Sequence, residues 1–214
     1  MRKTEVQEHY FKKRTEIPLQ LGIVKCLIGG KEFEFYTSPP VFSWRRVDNG
    51  TLCLAKGMQI AGAKSLLDMG CGYGAVGIVA AQNYPDLNVT MIDSSERAVL
   101  LARKNVQKYE LQDRVEVLQG NLYAPVGNEK FDVIVSNPPY SAGKGVVNEI
   151  IEKAPAHLNP GGSLQIVGRH TKGGRMYKEE MLKVFKSVEE TGRKSGFRVY
   201  IARQAASRPG DIRH

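Results

Sequence analysis

The amino-acid sequence predicts an α/β fold: a Rossmann-like, mostly parallel sheet of seven strands, one of them antiparallel, with helices on both faces and a small amino-terminal β-hairpin extension. Three observations carry this. From Ser65 onward, short apolar runs alternate with amphipathic stretches of helical length, the pattern of right-handed βαβ crossovers. A glycine-rich turn, Asp68-Met69-Gly70-Cys71-Gly72-Tyr73-Gly74, lies between the first such run and the first such helix. A double proline, in Asn137-Pro138-Pro139-Tyr140, closes another apolar run, and neither proline can donate a ladder hydrogen bond.

The elements follow in chain order. Ile23 to Ile28 and Glu32 to Tyr36 flank Gly29-Gly30, a two-residue turn suited to a hairpin. Pro39-Pro40 and Asn49-Gly50 mark a loop, and Thr51 is read as the N-cap of a helix running to about Ile60. Strands are expected at Ser65–Met69, Asn88–Ile92, Arg114–Gln119, Phe131–Ser136 and Ser163–Val167. Helices are expected at Ala75–Asn83, Ser95–Tyr109, Val146–His157 and Tyr177–Phe185. Val188–Thr191 and Phe197–Ala202 lie close enough in sequence to pair antiparallel. The domain expectation is an extension over 1–60, a Rossmann-like domain over 61–203 and a basic tail over 204–214.

Composition narrows the function classes. The chain has 214 residues and a net charge of +9. No apolar run approaches the ~20 residues of a membrane span, and the amino terminus has no apolar segment of signal-peptide type, so a cytoplasmic protein is expected. Cys26, Cys53 and Cys71 are too scattered for a disulfide scaffold or zinc cluster. His9, His157, His170 and His214 lack metal-ligand spacing, so no metal is expected. The charge is uneven. Residues 1–51 hold 9 Lys/Arg against 6 Asp/Glu, residues 52–163 hold 10 against 11, and residues 164–214 hold 12 against 5. Basic flanks around a neutral centre are an electrostatic footprint for nucleic acid.

In open parallel sheets, ligands bind beyond the carboxyl ends of the strands. The glycines stand as Gly-x-Gly-x-Gly, not as the Gly-x-Gly-x-x-Gly of dinucleotide binders. Asp68 ahead of them disfavours a pyrophosphate and suits an ammonium or sulfonium group. Asp93, followed by Ser94 at the next strand end, suits ribose hydroxyls. Asn121 and the backbone of Leu122 suit the edge of an adenine. Asn137 and the Pro138 carbonyl are acceptors for a planar group bearing NH2, on which Tyr140 stacks.

Taken together these motifs resemble the class I S-adenosylmethionine-dependent methyltransferases. More narrowly, they resemble the small-domain methyltransferases that include guanine-N2 enzymes of ribosomal RNA. The resemblance spans roughly Val41 to Arg203 and also rests on Val41-Phe42-Ser43, Asp48-Asn49-Gly50-Thr51, Asn159-Pro160-Gly161-Gly162 and Gly196-Phe197-Arg198-Val199. It implies S-adenosylmethionine as cofactor, held by Thr51, Asp68, Gly70, Gly72, Gly74, Asp93, Ser94, Asn121, Leu122 and Asn137. It implies Asn137, Pro138 and Tyr140 as catalytic residues, and an RNA partner, small-subunit (16S) ribosomal RNA, methylated at guanine N2. Phe42, Tyr140, Lys144, Arg169 and Lys172 are the substrate-side candidates, and a monomer or weak dimer is expected. Three departures stand out. Tyr140 occupies a position where guanine-N2 members usually carry Phe, Asn121 one where many relatives carry Asp, and only about 60 residues precede the Rossmann-like part. Tyr140 leaves adenine N6 and a protein glutamine N5 open as targets, and a non-catalytic RNA-binding module is the alternative of a different class.

Overall fold

The structure, a computed structural model, describes residues 21–39, 41, 43–139 and 143–206. A two-stranded antiparallel sheet comes first, formed by β1 (Gly22–Ile28) and β2 (Lys31–Thr37), with Ile28 opposite Lys31 across the Gly29-Gly30 turn. Helix α1 (Asn49–Gly57) follows. The main domain then alternates β3 (Ser65–Met69), α2 (Ala75–Asn83), β4 (Asn88–Asp93), α3 (Glu96–Lys108), β5 (Val115–Gln119), β6 (Phe131–Ser136), α4 (Gly143–Lys153), β7 (Leu158–Arg169), α5 (Arg175–Val184), β8 (Val188–Lys194) and β9 (Phe197–Arg203).

The seven-stranded sheet has the order β5-β4-β3-β6-β7-β9-β8. Pairings from β5 through β7 are parallel, and β9 runs antiparallel to both β7 and β8. One reversed strand in a seven-stranded sheet is the architecture the sequence predicts. Alternate residues of the central strands go to opposite apolar layers, as the two-residue period of a strand requires. Leu66, Val133 and Val135 face the layer that contains Leu54, Ile78 and Leu101 of α1, α2 and α3. Leu67, Ile134 and Ile166 face the layer that contains Ile150 and Met181 of α4 and α5. Helices on both faces explain why the central strands read as unbroken apolar runs.

Several boundaries differ from expectation. The N-cap of α1 is Asp48, not Thr51: its carboxylate accepts from the backbone N–H groups of Gly50 at 2.6 Å and Thr51 at 3.3 Å. The helix also stops at Gly57, short of Ile60, and packs across β7, β8 and β9. Helix α4 begins earlier than Val146 and ends at Lys153, where Pro155 forces the last turn into a 3-10 helix over Ala154–His157. Strand β7 begins at Leu158 and carries Asn159 to Gly162 as a bulge, since Phe131 pairs with Leu158 but Val133 with Ser163. The Asn159 amide donates to Asp132 Oδ1 at 2.8 Å and pins that bulge.

The hairpin is tied to the domain through α3. Phe33 and Phe35 are fully buried, and both rings lie about 6 Å from Tyr109. Asn105, on the buried face of α3, accepts from Tyr36 N at 2.7 Å. Its NH2 donates to the carbonyls of Tyr36 at 2.9 Å and Tyr73 at 2.8 Å. One side chain thus joins the hairpin to the glycine-rich turn. Asn105→Ala would leave the Tyr36 N–H and two carbonyls without this partner and open a cavity, a loss of about 2–4 kcal/mol in unfolding free energy. Chemical denaturation checks the loss, and hydrogen exchange should quicken first in β1 and β2.

Candidate active site

The site is assembled where the carboxyl ends of β3, β4, β5 and β6 meet. After β3 the chain turns through Gly70 and Gly72, both with positive φ, and the N–H groups of Gly70 and Cys71 donate to Ile92 O at 2.8 and 2.9 Å. Gly72 N donates to Asp93 Oδ2 at 2.8 Å, which ties this loop to the end of β4. The other oxygen, Asp93 Oδ1, accepts from Ser95 N at 2.9 Å, and Ser95 caps α3. Asp68 lies beneath the loop, 2% exposed, and accepts from Gly77 N in the first turn of α2 at 2.9 Å. Burial raises the pKa of its carboxyl to about 7; the Gly77 N–H works against that rise and the Asp93 charge adds to it.

These groups line a cleft of about 470 Å³. Thr51, Asp68, Gly70, Gly72, Asp93, Ser94, Asn121, Leu122, Asn137 and Pro138 all reach it. Gly74 does not: it takes a left-handed conformation as N-cap of α2 and turns the chain behind the cleft. Leu122 also has positive φ, at 49°, an uncommon conformation for a residue with a branched side chain. Val76, Ile92, Ala98 and Val146 give the cleft apolar walls. A buried carboxylate for a cation, a second for hydroxyls, and an apolar slot with an amide at its edge form a donor set that fits S-adenosylmethionine.

A second cavity, of about 180 Å³, adjoins the first. Arg46, Asp48, Asn49, Val167, Gly168, Tyr177 and Phe197 line it, and Asn137, Pro138 and Pro139 line both. The Asn137 NH2 donates to Asp48 Oδ2 at 3.1 Å and to Thr51 Oγ1 at 3.0 Å. Two glycines make the walls close. A Cβ at Gly50 would stand 2.9 Å from Asn137 Oδ1, and one at Gly168 would stand 2.8 Å from the Tyr177 ring.

The other substrate-side candidates separate. Arg169 is exposed at the end of β7, next to Gly168 of the second cavity, and Lys172 is exposed in the irregular turn that follows. Lys144 is exposed in the first turn of α4 and lines neither cavity, because α4 turns its buried face to the sheet through Val147 and Ile150. Phe42 and Tyr140 lie outside the described residues. Sequence reasoning missed the roles of Arg46, Asp48, Gly168, Tyr177 and Phe197 in the second cavity. Asp48 alone left a local signal, an acidic residue two positions before a glycine at a helix start. No helix among the described residues is long and apolar enough to cross a membrane, and no cluster of metal-ligating side chains occurs among them.

Residues 32–201 match the family model described as the methyltransferase small domain. The chain belongs to the methyltransferase small domain family. Within this family, it is similar to the protein YbxB of Bacillus subtilis, 31% identical over 93% of this chain and 100% of that protein. It is also similar to the ribosomal RNA small subunit methyltransferase C of Aeromonas hydrophila, 33% identical over 88% of this chain and 54% of the relative. The same half-length match holds in structure. The 16S rRNA N2 G1207 methyltransferase of T. thermophilus, solved with AdoMet and guanosine, superposes with a TM-score of 0.76 at 24% identity, over 88% of this chain and 52% of that one. This small-domain chain therefore spans about half the length of the ribosomal RNA methyltransferases it matches, and that superposition shows a shared fold.

The position of Asp68 sets a pH dependence. Its folded-state pKa lies above the unfolded value, so the ligand-free protein loses stability as pH rises from about 4 through about 7. A cationic ligand needs the ionised form, so its affinity should fall as pH drops below about 7. Isothermal calorimetry with S-adenosylmethionine should show tighter binding at pH 8 than at pH 6, with proton release at neutral pH. Asp68→Asn should flatten that profile and weaken binding, while raising the melting temperature of the ligand-free protein at pH 8.

Proposed function

We propose that the chain methylates an exocyclic amine of RNA from S-adenosylmethionine, with guanine N2 of small-subunit ribosomal RNA as the target. The observation that carries the reading is the shared wall: Asn137, Pro138 and Pro139 belong to both the large cleft and the smaller cavity, so two ligands meet at one strand end. The names of the ribosomal RNA relatives support the substrate class, and the uneven basic charge supports a polyanionic partner.

S-adenosylmethionine, when bound, supplies an electrophilic methyl group. The protein's task is to orient a poor nucleophile, since the lone pair of a base amine is delocalised into the ring. In this reading Asn137 Oδ1 and the Pro138 carbonyl accept the two N–H groups of the amine. That turns its lone pair toward the large cleft and favours the positive charge that develops on nitrogen. Asp68 and Asp93 hold the cationic and hydroxyl-bearing parts of the cofactor, and Asn121 and Leu122 hold its base. Tyr140 is assigned to stack on the substrate base and Phe42 to bind the substrate, and Arg169 and Lys172 meet phosphates near the second cavity. Lys144, set apart from both cavities, is assigned to a more distant phosphate. The released proton goes to water. The chain acts as a cytoplasmic monomer or weak dimer.

Asn137→Ala should lower the rate of methyl transfer to RNA by about a hundredfold or more, with cofactor affinity largely retained. Radiolabelled methyl transfer and calorimetry check the two halves, and a near-normal rate in the variant sinks the catalytic assignment. Affinity for RNA should fall steeply with salt, with a logarithmic slope of about −0.7 per phosphate contacted on a single strand. A flat salt response would point to a protein amide instead.

A further inference from the structure

We propose that Asp48 is a positioning residue of the transfer site. Its carboxylate locks the Asn137 amide in a single orientation, leaving only Oδ1 to face a substrate amine. The inference rests on the methyl-transfer reading for what Oδ1 accepts, but not for the lock itself.

The argument is an accounting of protons. A carboxylate only accepts. Asp48 Oδ1 takes the Gly50 N–H at 2.6 Å, and Oδ2 takes the Thr51 N–H at 3.3 Å together with the Thr51 hydroxyl. A threonine hydroxyl has one proton, so that bond exhausts it, and Thr51 Oγ1 offers Asn137 only lone pairs. Asn137 therefore faces two acceptors, at 3.1 and 3.0 Å, and must turn its NH2 toward both. A flipped amide would forfeit two hydrogen bonds and set its carbonyl oxygen against two other acceptors. With the NH2 turned toward this closely spaced pair of acceptors, the Oδ1 lone pairs face away from them, and no group among the described residues donates to Oδ1 in a hydrogen bond. Donation of the NH2 to a carboxylate also polarises the amide and makes Oδ1 a stronger acceptor.

The surroundings of that oxygen are close. Gly50 lets the helix start lie against it, since a side chain there would begin 2.9 Å from Asn137 Oδ1, 2.9 Å from Asp48 Oδ1 and 3.1 Å from the Phe197 ring. Thr51 lines the large cleft and Asp48 the smaller cavity, so the lock bridges both binding spaces.

A helix cap alone does not need a carboxylate, because asparagine caps equally well. In Asp48→Asn, however, one oxygen must serve both the cap and the lock. The decisive readouts are the exchange rate of the Asn137 side-chain amide protons by NMR and the single-turnover rate on RNA. In the unmodified protein the amide proton directed at the Asp48–Thr51 pair should exchange about tenfold or more slowly than those of an exposed asparagine, as expected for an engaged donor. In Asp48→Asn that protection should vanish and the transfer rate should drop about a hundredfold, with the cofactor dissociation constant largely unchanged. Unprotected Asn137 protons in the unmodified protein would overturn the lock, and this measurement stands even if the variant does not fold. A variant that keeps its rate overturns the positioning role. Protected protons in a protein that transfers no methyl group would overturn the proposed reaction and leave the lock intact.

Discussion

The site depends first on the parallel pairing of β3 with β6. Met69 lies opposite Ser136, and the Ser136 hydroxyl, fully buried, donates to Met69 O at 2.9 Å. That register sets the glycine-rich turn and the double proline at one level of the sheet. On the other side of β3, Met69 lies opposite Ile92, which brings Asp93 to the same level. A slip of one residue would send Asp68 to the opposite face of the sheet. The prolines add a stop: β6 cannot extend past Ser136 with normal ladder bonds, so Asn137 is held where the pairing ends.

Much of this was legible in the sequence because burial writes a simple code. Central strands covered on both faces read as short apolar runs, and the helices between them as amphipathic stretches, so the order of elements followed directly. The hairpin was legible from Gly29-Gly30 and the cofactor cleft from Asp68, Asp93 and the glycines. The N-cap of α1 was not, because Asp48, Asn49 and Thr51 are all good caps and only backbone geometry chooses among them. The second cavity was less legible still. Tyr177 reaches it from a helix and Gly168 from the end of a strand, and their fit depends on a ring lying against a residue without a side chain. Lys144 shows the converse, since closeness in sequence to Asn137 does not place it in the lining of either cavity.

The groups that make the cleft useful also weaken the fold. Asp68 is a carboxyl buried among apolar layers with one backbone donor nearby, and Leu122 holds a backbone conformation that glycine or asparagine would adopt more readily. The surrounding structure outweighs both. Leu66, Leu67 and Met91 are fully buried beside Asp68, and the adjoining loop is fastened to Ile92 and Asp93. Strain and desolvation therefore concentrate at the cleft, where a cation could offset the desolvation of Asp68, a common compromise between stability and activity.

The reversal of β9 has a consequence for how such a site can change. In the parallel part of the sheet, only strand ends reach the ligand edge. Because β9 runs the other way, with Phe197 opposite Arg169, its first residue arrives at that edge instead. The short turn through Ser195 and Gly196 thus delivers Phe197 to the mouth of the smaller cavity. Substitutions, or even added residues, in this solvent-facing turn could remodel that mouth without disturbing a crossover helix or the cofactor cleft. The fold thereby separates an adjustable rim of the smaller cavity from the fixed strand ends that build the large cleft.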